Sequence, residues 1–173
     1  MAGLKIYDHG ELLEIGFQDI RKFHGIRAYM AIGVAYRVME AAFAELYGNE
    51  VPSREDLSIL TGHGGPGFRD AFEFVTRAGT RGEYIVDVNY PQAQYDPHRP
   101  TSYAYVFKRK TGEQVEVSLK EDFLPAVFYE YLKKGREDSF TAEEFEKCEK
   151  LKKELCMRAL KMPLESLLEV RHV

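Results

Sequence analysis

Cysteine, excess charge of either sign and long apolar runs are all scarce in this chain, and each scarcity excludes something. Two cysteines, Cys148 and Cys156, stand among 173 residues. They lie in a stretch that reads as helix, about 12 Å apart along its axis at ~1.5 Å per residue. That is beyond disulfide reach, fits no zinc knuckle or ribbon, and cannot hold a four-cysteine iron–sulfur cluster. Both are expected to be small core residues. Lys and Arg number 24 against 28 Asp and Glu, for a net charge of -4. Without clustered basic side chains, nucleic acid is not an expected partner. No apolar run approaches the roughly 18 residues of a membrane helix. The start, MAGLKIYDHGELLEI, has no apolar signal core, so no membrane association and a cytoplasmic location are expected. A Gly-x-Ser-x-Gly elbow is missing, which excludes hydrolase chemistry of that type. Repeats, linkers and low-complexity runs are missing too. One domain is expected over residues 1–173, with the helical segment from about 139 onward as part of it.

What is present reads as alternating pieces of helix and strand. Leu12, Ile15, Ile20 and Phe23 predict a helix over Glu11–Phe23. The densest apolar pattern, Ile26–Tyr47, predicts a central buried helix ended by Gly48. Its small residues, among them Ala28, Ala31, Gly33 and Ala35, would let another backbone approach closely. Leu57–Thr61 reads as a fully buried strand, and Phe68–Arg77 as the helix after it. Tyr84–Tyr90 alternates like a strand. Tyr103–Lys108 and Gln114–Leu119 flank Thr111-Gly112 as a β-hairpin. Phe123–Lys133 reads as helix, and so does Ser139–Lys161, opened by a Thr141-x-x-Glu144 capping box. Pro163–Val173 would add a short helix and an extended end. Helices and strands do not alternate regularly, and hairpin signals are clear. The expected class is α+β with a mixed or antiparallel sheet packed with helices.

Chemistry concentrates in Leu57–Phe68, LSILTGHGGPGF, where an apolar strand runs into a glycine-rich loop carrying His63. A buried strand that delivers a side chain into a loop before a helix is a common α/β site design. His24, in Lys22-Phe23-His24-Gly25, sits in a similar glycine-flanked setting. Neutral imidazole is the commonest metal ligand. The loop has a second reading, as an anion cradle. Amides at a helix start favour a phosphate or carboxylate, with Arg69 or Arg27 assisting. It is not a P-loop, because the Gly-Lys-Ser/Thr ending is absent.

The pairing of Phe23-His24-Gly25 before a small-residue helix with a later strand ending Leu60-Thr61-Gly62 resembles the FmdE family, named for a component of formylmethanofuran dehydrogenase. The likeness runs over roughly Leu12–Lys133, and Met162–Val170 resembles the close of that family's core domain. Ile26 and Ala28 stand where the family motif has its second histidine and its cysteine. His63 stands at the position of a later cysteine. The zinc-ribbon tail found in some members is missing. The resemblance implies the family's α+β domain, akin to the catalytic domain of glyceraldehyde-3-phosphate dehydrogenase. It also implies a transition-metal centre, zinc or a similar divalent ion, with His24 and His63 as ligands. A catalytic or exchangeable zinc takes about three protein ligands, and His9 is the best third candidate. His98, on the proline-rich loop Pro91–Pro100, is a weaker one, and His172 is expected to be exposed.

The expected function is therefore that of a metal-binding protein of the FmdE type, with a small-molecule ligand held at the metal. Two alternatives stand beside it. One is a non-enzymatic partner or assembly subunit of a molybdenum or tungsten oxidoreductase. The other is an anion- or small-molecule-binding enzyme using the Gly62–Gly67 loop. A homodimer is expected from the small-residue helix and the many tyrosines. Asp87 and Asn89 are read either as partners orienting an imidazole or as a solvent-facing pair. Tyr84, Tyr90, Tyr95, Tyr103 and Tyr105 are read as lining a pocket, a sheet face or a dimer contact.

Overall fold

Nineteen residues, Tyr29–Tyr47, form the helix around which everything else is built. Fifteen of them are buried, including Arg37 and Tyr36. A helix apolar on nearly every side is stable only when covered on nearly every side. A computed structural model, describing residues 2–91 and 96–173, shows how that cover is made. In chain order the elements are β1 (Leu4–Asp8), β2 (Glu11–Ile15), α1 (Phe17–His24) and α2 (Tyr29–Tyr47). A 3-10 turn at Arg54–Asp56 leads into β3 (Leu57–Thr61), α3 (Pro66–Thr76), β4 (Tyr84–Val86), β5 (Ala104–Arg109) and β6 (Gln114–Leu119). The chain closes with α4 (Ala126–Arg136), α5 (Ala142–Lys161), α6 (Leu164–Leu167) and β7 (Leu168–His172). The protein is an α+β fold with a mixed sheet.

The main sheet has the order β4-β3-β5-β6-β7. β3 and β4 are parallel, joined by α3 as a crossover, and all other neighbours are antiparallel. Leu57, Ile59, Tyr105, Phe107, Val115, Val117 and Leu119 turn inward and form the core with α2 and α3. The strand expected to be fully buried, β3, instead alternates buried and half-buried residues. The hairpin β1–β2 is a separate two-stranded sheet, tied to the body by Tyr7 N–H donating to Pro52 O at 2.8 Å.

That hairpin corrects the helix expected over Glu11–Phe23. Only Phe17–His24 is helical, and Glu11–Ile15 is a strand. The cause is the turn. His9 (φ 49°) and Gly10 (φ 85°) both take left-handed backbone, as a two-residue type I′ hairpin requires. Gly16 then breaks the strand and starts α1, its N–H donating to Asp19 Oδ2 at 2.8 Å. The strand expected over Tyr84–Tyr90 is also shorter. After Val86, Asn89 N–H donates to Asp87 Oδ1 and folds the chain into a turn.

Small residues on α2 are used within the chain. A Cβ on Gly33 would lie 2.8 Å from Cys156 Sγ, so α2 and α5 touch backbone to backbone there. Both cysteines are free and buried on α5, as expected. Arg37 seals the same contact. Its Nη1 donates to the carbonyls of Ala159, Leu160 and Met162 at 2.7–2.9 Å, satisfying the orphan acceptors at the end of α5. The Thr141–Glu144 capping box opens α5 as the sequence indicates. Among the described residues, no helix is long and apolar enough to cross a membrane.

Candidate functional site

β3 delivers its last residues to the N-terminus of α3, and the loop between them is tightly packed. Gly62 N–H donates to Ala104 O at 2.8 Å, and Ser102 N–H donates back to Gly62 O at 2.9 Å. A Cβ on Gly62 would meet Ser102 O at 2.5 Å, and one on Gly67 would meet Ala31 Cβ at 2.6 Å. Glycine is needed at both positions because a neighbouring chain segment occupies the space. Thr61 Oγ1 accepts from His63 N–H and donates to His63 O, which holds the corner between strand and helix.

His63 is folded back over its own loop. Gly65 N–H donates to its Nδ1 at 2.9 Å. With Nδ1 accepting, the proton of the neutral ring sits on Nε2. The ring lies between Phe68 and Tyr103, each 4.8 Å away by centroid. Burial disfavours the imidazolium, and Arg99 adds to it, so the pKa falls from 6.5 to about 3. His63 is therefore a neutral Nε2–H donor across the physiological range.

The ring lines a cavity of about 160 Å³ between α2, α3, α4, α5 and the loop before β5. Met30, Ala31, Phe68, Phe128 and Leu132 make it apolar, and Arg99 and Lys152 bring positive charge to it. Arg99 is held in place. Its Nε donates to Asp96 Oδ2 at 3.2 Å, and the Asp96 side chain is fully buried, with Arg136 also beside it. At the start of α3, Pro66 has no N–H. The amides of Gly67 and Phe68 have no intrahelical acceptor.

Among the candidate ligands, the structure does not bring His9, His24 and His63 together. His24, on α1, is bonded through Nδ1 to Asp70 Oδ2 on α3 at 2.7 Å. His9 stands on the hairpin turn with Asp8 and Glu55. The ligand atoms of those three lie within 4.8 Å of one another, the one such group of three among the described residues. His98 is bonded to Glu130 Oε1 at 2.6 Å, and His172 is exposed beside Glu45. Arg69 and Arg27, named with the loop from sequence, do not line the cavity. Arg69 pairs with Asp70, and Arg27 lies over the Phe145 ring. Arg99 and Lys152 take their place. The signal for Arg99 was its spacing from Asp96, an i, i+3 ion pair on a loop. Lys152 carried no signal, because only packing of α5 places it there.

Asp87 is engaged in its own turn with Asn89, not with an imidazole. Of the tyrosines, Tyr103 lines the cavity and Tyr105 lies in the core. Tyr90 donates to Glu116. Tyr95 lies outside the described residues. No protein-family model matches the chain, and no curated protein matches it either.

Proposed function

We propose that the His63 cavity binds a small organic anion, its apolar body inside and its charge against Arg99. The observation that carries this is the pairing of a buried, neutral Nε2–H donor with a guanidinium anchored by a fully buried carboxylate. Asp96 is itself compensated by Arg99, Arg136 and the His98 N–H, so it holds Arg99 in one place at the cavity edge. Lys152 and the open amides of α3 add positive potential at the same place. A cavity of this size suits a body of roughly six heavy atoms, since an apolar cavity near 150 Å³ holds benzene. Titration calorimetry with benzoate, pentanoate and inorganic phosphate tests the reading. Micromolar to millimolar binding of the carboxylates, clearly weakened in His63→Ala and in Arg99→Ala, is expected. Absence of any binding at 10 mM (an assay concentration of about the weakest useful affinity) would remove it.

The likeness to the FmdE family finds one geometric support. Ala28 and His63, the two positions at which that family is read to carry cysteines, line one cavity. On this reading the chain keeps the family's site but replaces ligating sulfurs with a methyl group and a neutral imidazole. Two cationic side chains at the cavity weigh against a metal ion there.

A second reading, metal binding, is favoured at a different place by the Asp8–His9–Glu55 grouping. One imidazole and two carboxylates suit zinc or a similar ion. Elemental analysis and zinc titration of the wild type and His9→Ala test it, with zinc uptake expected only in the wild type. Equal uptake by both proteins, or none by either, counts against it.

A further inference from the structure

Arg99 depends on its loop for its position at the cavity. The far end of that loop is tied to the end of β3, where Ser102 N–H donates to Gly62 O at 2.9 Å. The near end folds around Asp96. Its fully buried carboxylate takes the His98 N–H at 2.8 Å and Arg99 Nε at 3.2 Å, and Arg136 of α4 lies 3.8 Å from it. A second contact fastens this end to α4, the helix that gives Phe128 and Leu132 to the cavity. The His98 ring is bonded through Nε2 to Glu130 Oε1 at 2.6 Å. His98 is thus bonded twice, by its backbone to the carboxylate that holds Arg99 and by its ring to the helix of the cavity wall.

Among the histidines, His98 is the one whose protonation reaches the site. His63 lines the cavity but stays neutral down to about 3. His9, His24 and His172 pair with Glu55, Asp70 and Glu45, and none of them lines the cavity. A histidine changes charge between about pH 5 and 8. Neutral His98 gives Glu130 an ordinary N–H bond, and protonated His98 gives it a charge-assisted one, which is stronger. The charged groups gathered around it are Asp96 and Arg99 on its own loop and Glu130 and Arg136 on α4. Two are anions and two are cations, so the proton leaves a net positive charge beside Arg99.

We infer that the His98–Glu130 pair is a proton-linked latch on the loop that carries Arg99, so that the cavity holds a carboxylate more tightly as His98 takes up a proton. This rests on the cavity reading above. Both consequences of protonation act in one direction. The stronger bond to Glu130 fixes the loop, and with it the guanidinium, before the ligand arrives. The added charge, one residue from Arg99, attracts the anion. By reciprocity a bound carboxylate favours the protonated form of His98, so binding near neutral pH takes up protons. The Glu130 side chain is 55% exposed, and solvent screening holds the effect to a few-fold.

Calorimetry with benzoate, which is ionised throughout this range, tests the latch. The wild type should bind it about threefold to fivefold tighter at about pH 5.5 than at about pH 7.5. At about pH 6.5 the binding enthalpy should change with the ionisation enthalpy of the buffer, in the sense of proton uptake. His98→Asn should bind as the wild type does at the higher pH, without dependence on pH or buffer. Glu130→Gln should shrink the pH effect, and His172→Asn, away from the cavity, should keep all of it. Equal wild-type affinity at both pH values overturns the latch and leaves the cavity reading standing. So does a pH effect that survives His98→Asn or Glu130→Gln undiminished, or a His98→Asn variant weakened equally at both pH values. If benzoate binds at neither pH, the cavity reading and the latch fall together.

Discussion

His63 and His9 each sit a short way from a glycine, and their surroundings give them opposite chemistry. His63 is enclosed by Phe68, Tyr103 and the turn of its own loop, with Arg99 and Lys152 as the nearby charges of the cavity. His9 projects from the β1–β2 turn with its side chain 83% exposed, between Asp8 and Glu55. Around His63 the cationic charge and dry walls favour a neutral ring and an anionic guest. Around His9 the carboxylates and open solvent favour a cation. The glycine close to each histidine serves a different end. Gly10 supplies positive φ for a hairpin, while Gly65 supplies the absence of a Cβ where the His63 ring must lie.

The largest expected way to break the contrast is acid. In the unfolded chain His63 takes a proton near 6.5, but in the folded chain only near 3. Below 6.5 the unfolded state therefore binds more protons, and stability falls as pH falls. The cost is about 1.4 kcal/mol per pH unit, or about 3 kcal/mol by two units below that midpoint. His63→Gln should remove this component. Denaturant melts of both proteins from pH 7 to 4.5 should show their stability difference shifting in favour of the variant by that amount.

Next comes Arg99→Ala, which should weaken carboxylate binding by about 30-fold, or ~2 kcal/mol, as the loss of one charged hydrogen bond does. The same substitution should leave zinc uptake at His9 untouched. Gly65→Ala should be milder, at about tenfold. Its backbone angles suit alanine, but the new Cβ would lie 2.6 Å from His63 Cε1 and must push the ring. Calorimetry of binding, with a thermal melt as the folding control, separates the two effects. The smallest effect is at the exposed end of the comparison. His9→Ala should change stability by no more than about 0.5 kcal/mol, as surface substitutions usually do. A larger loss in a denaturant melt would mean that the hairpin turn matters more to the fold than its exposure indicates.

Much of the fold was legible because it depends on neighbours in sequence. The apolar density of Ile26–Tyr47 marked α2, since no other arrangement hides so many such residues. Thr141 and Glu144 marked the start of α5 because a capping box closes within one turn. Thr111-Gly112 marked the β5–β6 hairpin. The first helix was misread because Leu12, Ile15, Ile20 and Phe23 satisfy helical spacing by chance across a strand, a break at Gly16 and a helix. Leu12 and Phe23 are in fact both more than half exposed. The site was half legible. His63 and its loop stood out, but Arg99 and Lys152 are brought to the cavity by a loop and by α5, with no short-range pattern linking them to His63.

Taken alone, the amino-acid order determined the class of fold, the central helix, the corner at Gly62–Gly67 and the solitary character of the two cysteines. Each follows from interactions that close within a few residues or from composition. Only the tertiary structure decided that His24 belongs to Asp70, that His9 belongs to Asp8 and Glu55, and that His63 faces a cavity edged by Arg99. Those pairings join residues as many as 46 positions apart. The free energy that selects them comes from burying surfaces around α2, which no local spacing encodes.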